Sequence, residues 1–363
     1  MSRDRTDIYY WKCDRAAAFH GTSDYAHDQE ALRARLDGVL RGRFGDAVSN
    51  VQTACGQGNH RTFTATVEGR RVFIRTEDGV ERDDYFAVEA AVTRRVADLG
   101  VPVAETLAYD CSRTCGFAWQ MIPHLPYRDL NAYAKTGMLD WARVAPAIGS
   151  AIARWQEVTA PGFGPFSAET ARISGDLRAL HPTYAAYYRL NLVKHLDFLV
   201  AHAFVDAAYA ARILAAIDRH GRFLAWTQGV LVHKDLAVWN ILGTENEAKA
   251  FIDWDDCIMG DPMDDLSLMG VTAERAETRL VLDAYASARG LCPDAAPRFW
   301  LCWLRNILFK AVIRVGAGYF RKSGDGFFLI GGGGDGASLE ATTRRKIEQA
   351  LVALEKGRDF DAI

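Results

Sequence analysis

Three side chains in the second half of the chain have the types and spacing to take a proton and hold a divalent cation. Val232 to Leu242 reads VHKDLAVWNIL, which places His233, Asp235 and Asn240 at H-x-D-x-x-x-x-N. Asp253 follows thirteen residues after Asn240, inside AFIDWDD. Moving a phosphoryl group from a nucleotide to an alcohol needs a carboxylate to receive the hydroxyl proton and oxygen ligands that hold Mg2+ against the phosphates. Asp235 suits the first task, and Asn240 and Asp253 suit the second.

Two short elements must position these groups. Val230, Leu231 and Val232 form an apolar, partly β-branched run, and Lys249 to Trp254 (KAFIDW) forms another, with polar residues between them. The pattern predicts a loop carrying Asp235 and Asn240 between two buried strands, with Asp253 ending the second strand.

HKDLAVWNIL, FIDWDD and the later GDPMDDLSLM resemble the catalytic loop, metal-binding Asp and following segment of the aminoglycoside phosphotransferase and choline kinase family. That family is the small-molecule branch of the protein-kinase-like fold. The resemblance implies an α+β, bilobal architecture with a small antiparallel-sheet N-lobe and a mainly helical C-lobe. Residues 1–26 then form an N-terminal extension, 27–122 the nucleotide-binding N-lobe and 123–363 the catalytic and acceptor-binding C-lobe. ATP and Mg2+ are the implied cofactors. Asp265 is implied to cap and brace the active-site loops. His233 is expected to brace its loop rather than react, and Lys234 to lie at the surface. Protein kinases usually keep Lys two residues after the base, whereas Ala237 stands here, which favours a small-molecule acceptor over a protein one.

Upstream, a helix is expected from about His27 to Phe44, with Arg33, Arg35, Arg41 and Arg43 on a solvated face. Val48 to Thr76 reads as three strands, the last two joined by a tight turn at Glu68 and Gly69. By resemblance, CGQGNHRTFTATV stands where a loop folds over the ATP phosphates, and Gly56, Gly58 and Asn59 would let backbone N–H groups approach them. Arg75 stands where kinases place a phosphate-contacting Lys, and Glu89, bordering the apolar stripe Val88, Val92 and Val96 of the next helix, is placed to pair with it. The resemblance implies that Gln120, Met121 and Ile122 fall at the hinge, where backbone groups would bind adenine. After the hinge the chain reads as helical over Trp141 to Val158 and Tyr184 to Ile217, separated by a loop at APGFGPF. GFGPF is similar to a run in the hygromycin phosphotransferase branch.

Composition bounds the rest. The 363 residues, 49% hydrophobic, supply material for about two domains. A net charge of −3 gives no basic field, which disfavours nucleic acid or an anionic membrane as partner. MSRDRTDIYYWK lacks the apolar core of a signal peptide, no run approaches the roughly 20 apolar residues of a membrane span, and seven cysteines without an export signal read as reduced thiols, so a cytoplasmic protein is expected. Tyr9, Tyr10, Trp11 and Phe19 are too many aromatics for a disordered tail and are expected to pack on the body. Gly331 to Gly336 satisfy G-x-G-x-x-G, but too little chain follows to complete a dinucleotide-binding unit, and the run reads as a loop.

The sequence therefore points to an ATP-dependent phosphotransferase acting on a small hydroxyl compound: an aminoglycoside, amino sugar, sugar or choline-like amino alcohol. Asp255 and Asp256 follow the metal ligand directly and would suit a cationic acceptor, whereas Arg305, Lys310 and Arg314 on a late helix would suit an anionic one. The alternatives are an inactive nucleotide-binding pseudokinase, against which retention of all three polar groups speaks, and a protein kinase.

Overall fold

Alternating apolar residues and tight turns build an antiparallel sheet in the first third of the chain. The computed structural model describes residues 4–15, 28–54, 60–79, 82–323 and 334–363. Strands β1 (Val48–Thr53), β2 (Arg61–Val67), β3 (Arg70–Glu77), β4 (Ala108–Asp110) and β5 (Ala118–Pro123) pair antiparallel in the order β1-β2-β3-β5-β4. Glu68 and Gly69 join β2 to β3 with both residues at positive φ, 50° and 74°, the geometry of a hairpin turn whose twist matches its strands. Leu32, Leu36 and Leu40 recur at helical spacing on the helix Gln29–Phe44 and pack with Phe63, Val72, Ile74 and Trp119 of the sheet. The helix Tyr85–Asp98 buries Val88, Val92 and Val96 in a larger core that runs on into the rest of the chain.

Beyond β5 the chain is mainly helical. Helix Ala295–Gly316 runs through this part with Phe299, Trp300, Trp303, Ile307 and Leu308 buried. Helices Trp141–Trp155 and Arg275–Arg289 lie against each other, and Gly149 permits their approach. A Cβ at Gly149 would sit 2.5 Å from the Val281 carbonyl oxygen and 2.7 Å from Ala284 Cβ.

Short strands frame the site. β6 (Arg128–Asp129), β10 (Ile241–Thr244) and β11 (Glu247–Phe251) form one small sheet, and β7 (Phe163–Phe166), β8 (Ala179–His181), β9 (Val230–Val232) and β12 (Ile258–Gly260) form another in the order β8-β7-β12-β9. Here the structure corrects two expectations. GFGPF is a strand, because Gly164 and Pro165 pair with Met259 and Ile258 and both phenylalanines are buried. Tyr184 to Ile217 is three helices, Tyr184–Arg189, Leu192–Ala201 and Ala207–Arg219, since Asn191 and Ala203 adopt positive φ and break the run. Among the described residues no helix is long and apolar enough to cross a membrane.

Candidate active site

β9 delivers the chain into the loop that carries Asp235, and Asp265 fixes that loop from below. Its carboxylate accepts the backbone N–H groups of His233 (2.9 Å) and Lys234 (3.1 Å) and the indole N–H of Trp155 (3.1 Å). His233 is buried, its Nε2 donates to the Ile252 carbonyl at 2.9 Å, and its Nδ1 faces the Asp235 N–H at 3.4 Å. Burial lowers its pKa to about 4, so the imidazole is neutral and serves as a brace between the two halves of the site.

Lys234 departs from the surface position expected for it. Its φ of 68° turns the side chain inward, where the ammonium meets both Asp264 oxygens at 3.0 Å, Asn306 Oδ1 at 2.9 Å and the Tyr9 hydroxyl at 3.1 Å. A buried lysine is tolerated when its donors are matched in this way.

Asp235 receives Lys310 Nζ on Oδ1 at 2.6 Å and Lys12 Nζ on Oδ2 at 3.0 Å. Burial alone would raise its pKa, but the two ammonium groups outweigh burial and hold the carboxyl well below the usual range. The Asn240 amide nitrogen donates to the Asp235 carbonyl at 2.8 Å, which leaves Oδ1 as the atom available to a cation. Asp253 lies two residues beyond the end of β11 rather than within a strand, in a left-handed conformation with φ 68° and ψ 57°. That backbone turn re-aims its carboxylate, which accepts Arg75 at 3.0 Å. Burial, followed by the neighbouring Asp255, pushes the Asp253 pKa well above normal. A carboxylate beside another carboxylate, with an amide oxygen supplied by the preceding loop, is a hard-oxygen donor set that suits Mg2+.

The sheet contributes Arg75, whose guanidinium contacts the Glu89 carboxylate, Gln120 Oε1 and Asp253 at once. Gln120 and Met121 pair with β3 on one side and β4 on the other, which commits their backbone groups to the sheet. Of the three hinge candidates only Ile122, opposite Phe73 in β3, lacks a partner in β4. Gly56, Gly58 and Asn59 lie outside the described residues. Asp255 faces His60 at 3.3 Å, and His60 and Arg75 overcome burial to hold it strongly acidic. Asp256 is pushed up to about 6 by burial and by Asp255.

Two groups at the site carried no signal in the spacing of motifs. Tyr9, Tyr10 and Trp11 are buried, and their segment brings Lys12 to Asp235 across 223 residues of sequence. Arg5 of the same segment bonds Asp83 and the Asp255 carbonyl, each at 2.6 Å. On the late helix, Lys310 alone of the three cations reaches the site. Arg305 is buried against the carbonyls of Tyr188 and Leu190 and against His195, and Arg314 against Thr343, so both are structural. Lys310 was one of three candidates for an anionic acceptor on this helix, and no motif spacing singled it out.

A small antiparallel sheet joined to a mainly helical body matches the protein-kinase-like phosphotransferase fold. A model of APH, the Phosphotransferase enzyme family, matches residues 52–300, and the chain belongs to that family. Similar solved structures include a thermostable mutant of aminoglycoside phosphotransferase APH(4)-Ia in ternary complex with AMP-PNP and hygromycin B, with TM-score 0.60 and 18% identity over 86% of this chain and 98% of that one. Spectinomycin phosphotransferase APH(9)-Ia in complex with ADP and spectinomycin gives 0.56 and 14% over 91% and 98%. Macrolide 2'-phosphotransferase MphH from Brachybacterium faecium gives 0.53 and 19% over 90% and 97%. No curated protein matches the chain.

Proposed function

We propose that the protein transfers the γ-phosphoryl group of ATP to a hydroxyl of a small molecule. The observation that supports this reading is that Asn240 bonds Asp235 on one loop while Asp253 on the next, within electrostatic reach of Asp235, binds an Arg75 held by Glu89. Asp235 orients the acceptor hydroxyl and receives its proton. Ionised by its lysine partners, it is a weak base, which suits a loose transition state in which positioning carries most of the rate. Asn240 and Asp253 would hold Mg2+, which when bound draws the β- and γ-phosphates together and offsets their charge. Arg75 steadies the phosphates, and adenine lies against the end of β5 at Ile122 and the linker that follows Pro123. Nucleotide complexes of the structural neighbours support the choice of an adenine nucleotide.

The experiment is ADP release from ATP across a panel of hydroxyl compounds, with Asp235→Asn as the blank. We expect turnover with at least one compound and a fall of about 10²- to 10⁴-fold in the variant. Full activity in Asp235→Asn would remove Asp235 from this role. Mg2+-dependent nucleotide binding with no turnover on any compound would favour a pseudokinase.

A further inference from the structure

Both oxygens of the Asp235 carboxylate face cations, and one carboxylate balances only one of them. Among the described residues neither Lys12 nor Lys310 has a second carboxylate within ion-pair distance. Asp256, Asp253 and Asp255 attract Lys12 from further off, but Asp253 is held by Arg75, Asp255 by His60, and Asp256 is shared with Arg5. The aromatic faces beside the base are also engaged. Lys310 Nζ lies 5.4 Å from the Tyr10 ring centroid, 5.3 Å from that of Phe309 and 5.8 Å from that of Trp239. Rings that attract a ligand's ammonium are here turned towards the protein's own. A cationic acceptor reaching Asp235 would meet two like charges.

Each ammonium carries three N–H donors, and each spends one on Asp235. The remaining donors point to a ligand oxygen bearing negative charge. Resting on the reading of Asp235 as the hydroxyl-binding base, we infer that the acceptor is an anion, with a carboxylate or phosphate close to the reacting hydroxyl, and that Lys12 and Lys310 determine this specificity. The Lys12 side chain is 30% exposed and the Lys310 side chain 11%, so Lys12 can swing from Asp235 to the acceptor while Lys310 stays fixed. The N-terminal segment thereby supplies part of the acceptor site.

The test is calorimetric binding of three matched hexoses, glucuronate, glucose and glucosamine, and of hygromycin B, to the full chain loaded with Mg2+ and AMP-PNP. We expect glucuronate to bind about tenfold more tightly than glucose, and glucosamine more weakly than glucose. Lys12→Ala and Lys310→Gln should each weaken glucuronate about tenfold more than they weaken glucose. Tighter binding of glucosamine or hygromycin B than of glucuronate, equal binding of all, binding of none, or glucuronate binding indifferent to both variants would overturn the inference. Failure of AMP-PNP itself to bind in a Mg2+-dependent way that Asp253→Asn abolishes would instead overturn the reading of the site as a kinase. Lys12 stands at a partly exposed position, so its variant remains informative even where Lys310→Gln destabilises the fold.

Discussion

Arg75 and Asp253 are joined at 3.0 Å across the cleft, the first on a strand of the sheet and the second on a turn of the helical half. The same guanidinium holds Glu89 and Gln120, so three partners share one planar fork. A lysine ammonium cannot reach all three with that geometry. Arg75→Lys is therefore expected to keep the fold and weaken Mg2+·AMP-PNP binding by about 1–3 kcal/mol, or roughly 5- to 150-fold. Unchanged nucleotide affinity by calorimetry would show that the fork is dispensable.

His233 makes the stability depend on pH. Its pKa falls from 6.5 to about 4 on folding because burial disfavours the imidazolium. The unfolded chain then binds a proton more readily than the folded one, so this contribution is complete above pH 6.5 and is lost as pH falls through 4. The shift amounts to about 3 kcal/mol. His233→Gln keeps a donor for the Ile252 carbonyl and does not titrate, so urea melts at pH 7, 5.5 and 4.5 should show a shallower acid loss than the wild type. Parallel pH curves for the two proteins would rule out His233 as the source.

Lys234→Met removes the cation from a pocket shared by Asp264 and Asn306 and leaves the Asp264 carboxylate buried without its charge partner. A loss of about 3–5 kcal/mol in unfolding free energy is expected. Lys234→Met combined with Asp264→Asn should recover part of that loss, because the stranded charge is gone. A double variant as unstable as the single one would mean that packing, not charge, sets the cost.

Gly149→Ala tests the contact between helices Trp141–Trp155 and Arg275–Arg289. The added methyl meets backbone atoms of Val281 and Tyr285 at 2.5 Å and 2.7 Å, which no side-chain rotation relieves. Thermal unfolding should report a destabilisation of about 1–3 kcal/mol. A wild-type midpoint would show that the two helices can separate at little cost.

Local pattern and chain-distant partners explain what could be read in advance. The sheet and the strand before Asp235 follow from alternation and turn residues, short-range properties of the chain, whereas the Arg75 to Glu89 pairing rests on the family resemblance. The strand at GFGPF was hidden because its partner, Ile258 to Met259, lies some ninety residues on, and glycine with proline reads locally as a loop. Lys234 looked exposed because Asp264, Asn306 and Tyr9 reach it from three separate segments. The approach of Lys12 to Asp235 has the same character, since no periodicity links the two positions. The loop at Gly56, Gly58 and Asn59 lies outside the described residues.

Arg5 stacks 3.4 Å over the Tyr85 ring while binding Asp83 on one side and the Asp255 carbonyl on the other. Asp83 lies two residues before the helix that carries Glu89, and Asp255 lies within the turn that Asp253 opens. One side chain thus fastens the segment before that helix to the turn at Asp253. Parting of these two segments has to stretch this clasp, so a residue from the start of the chain resists their separation.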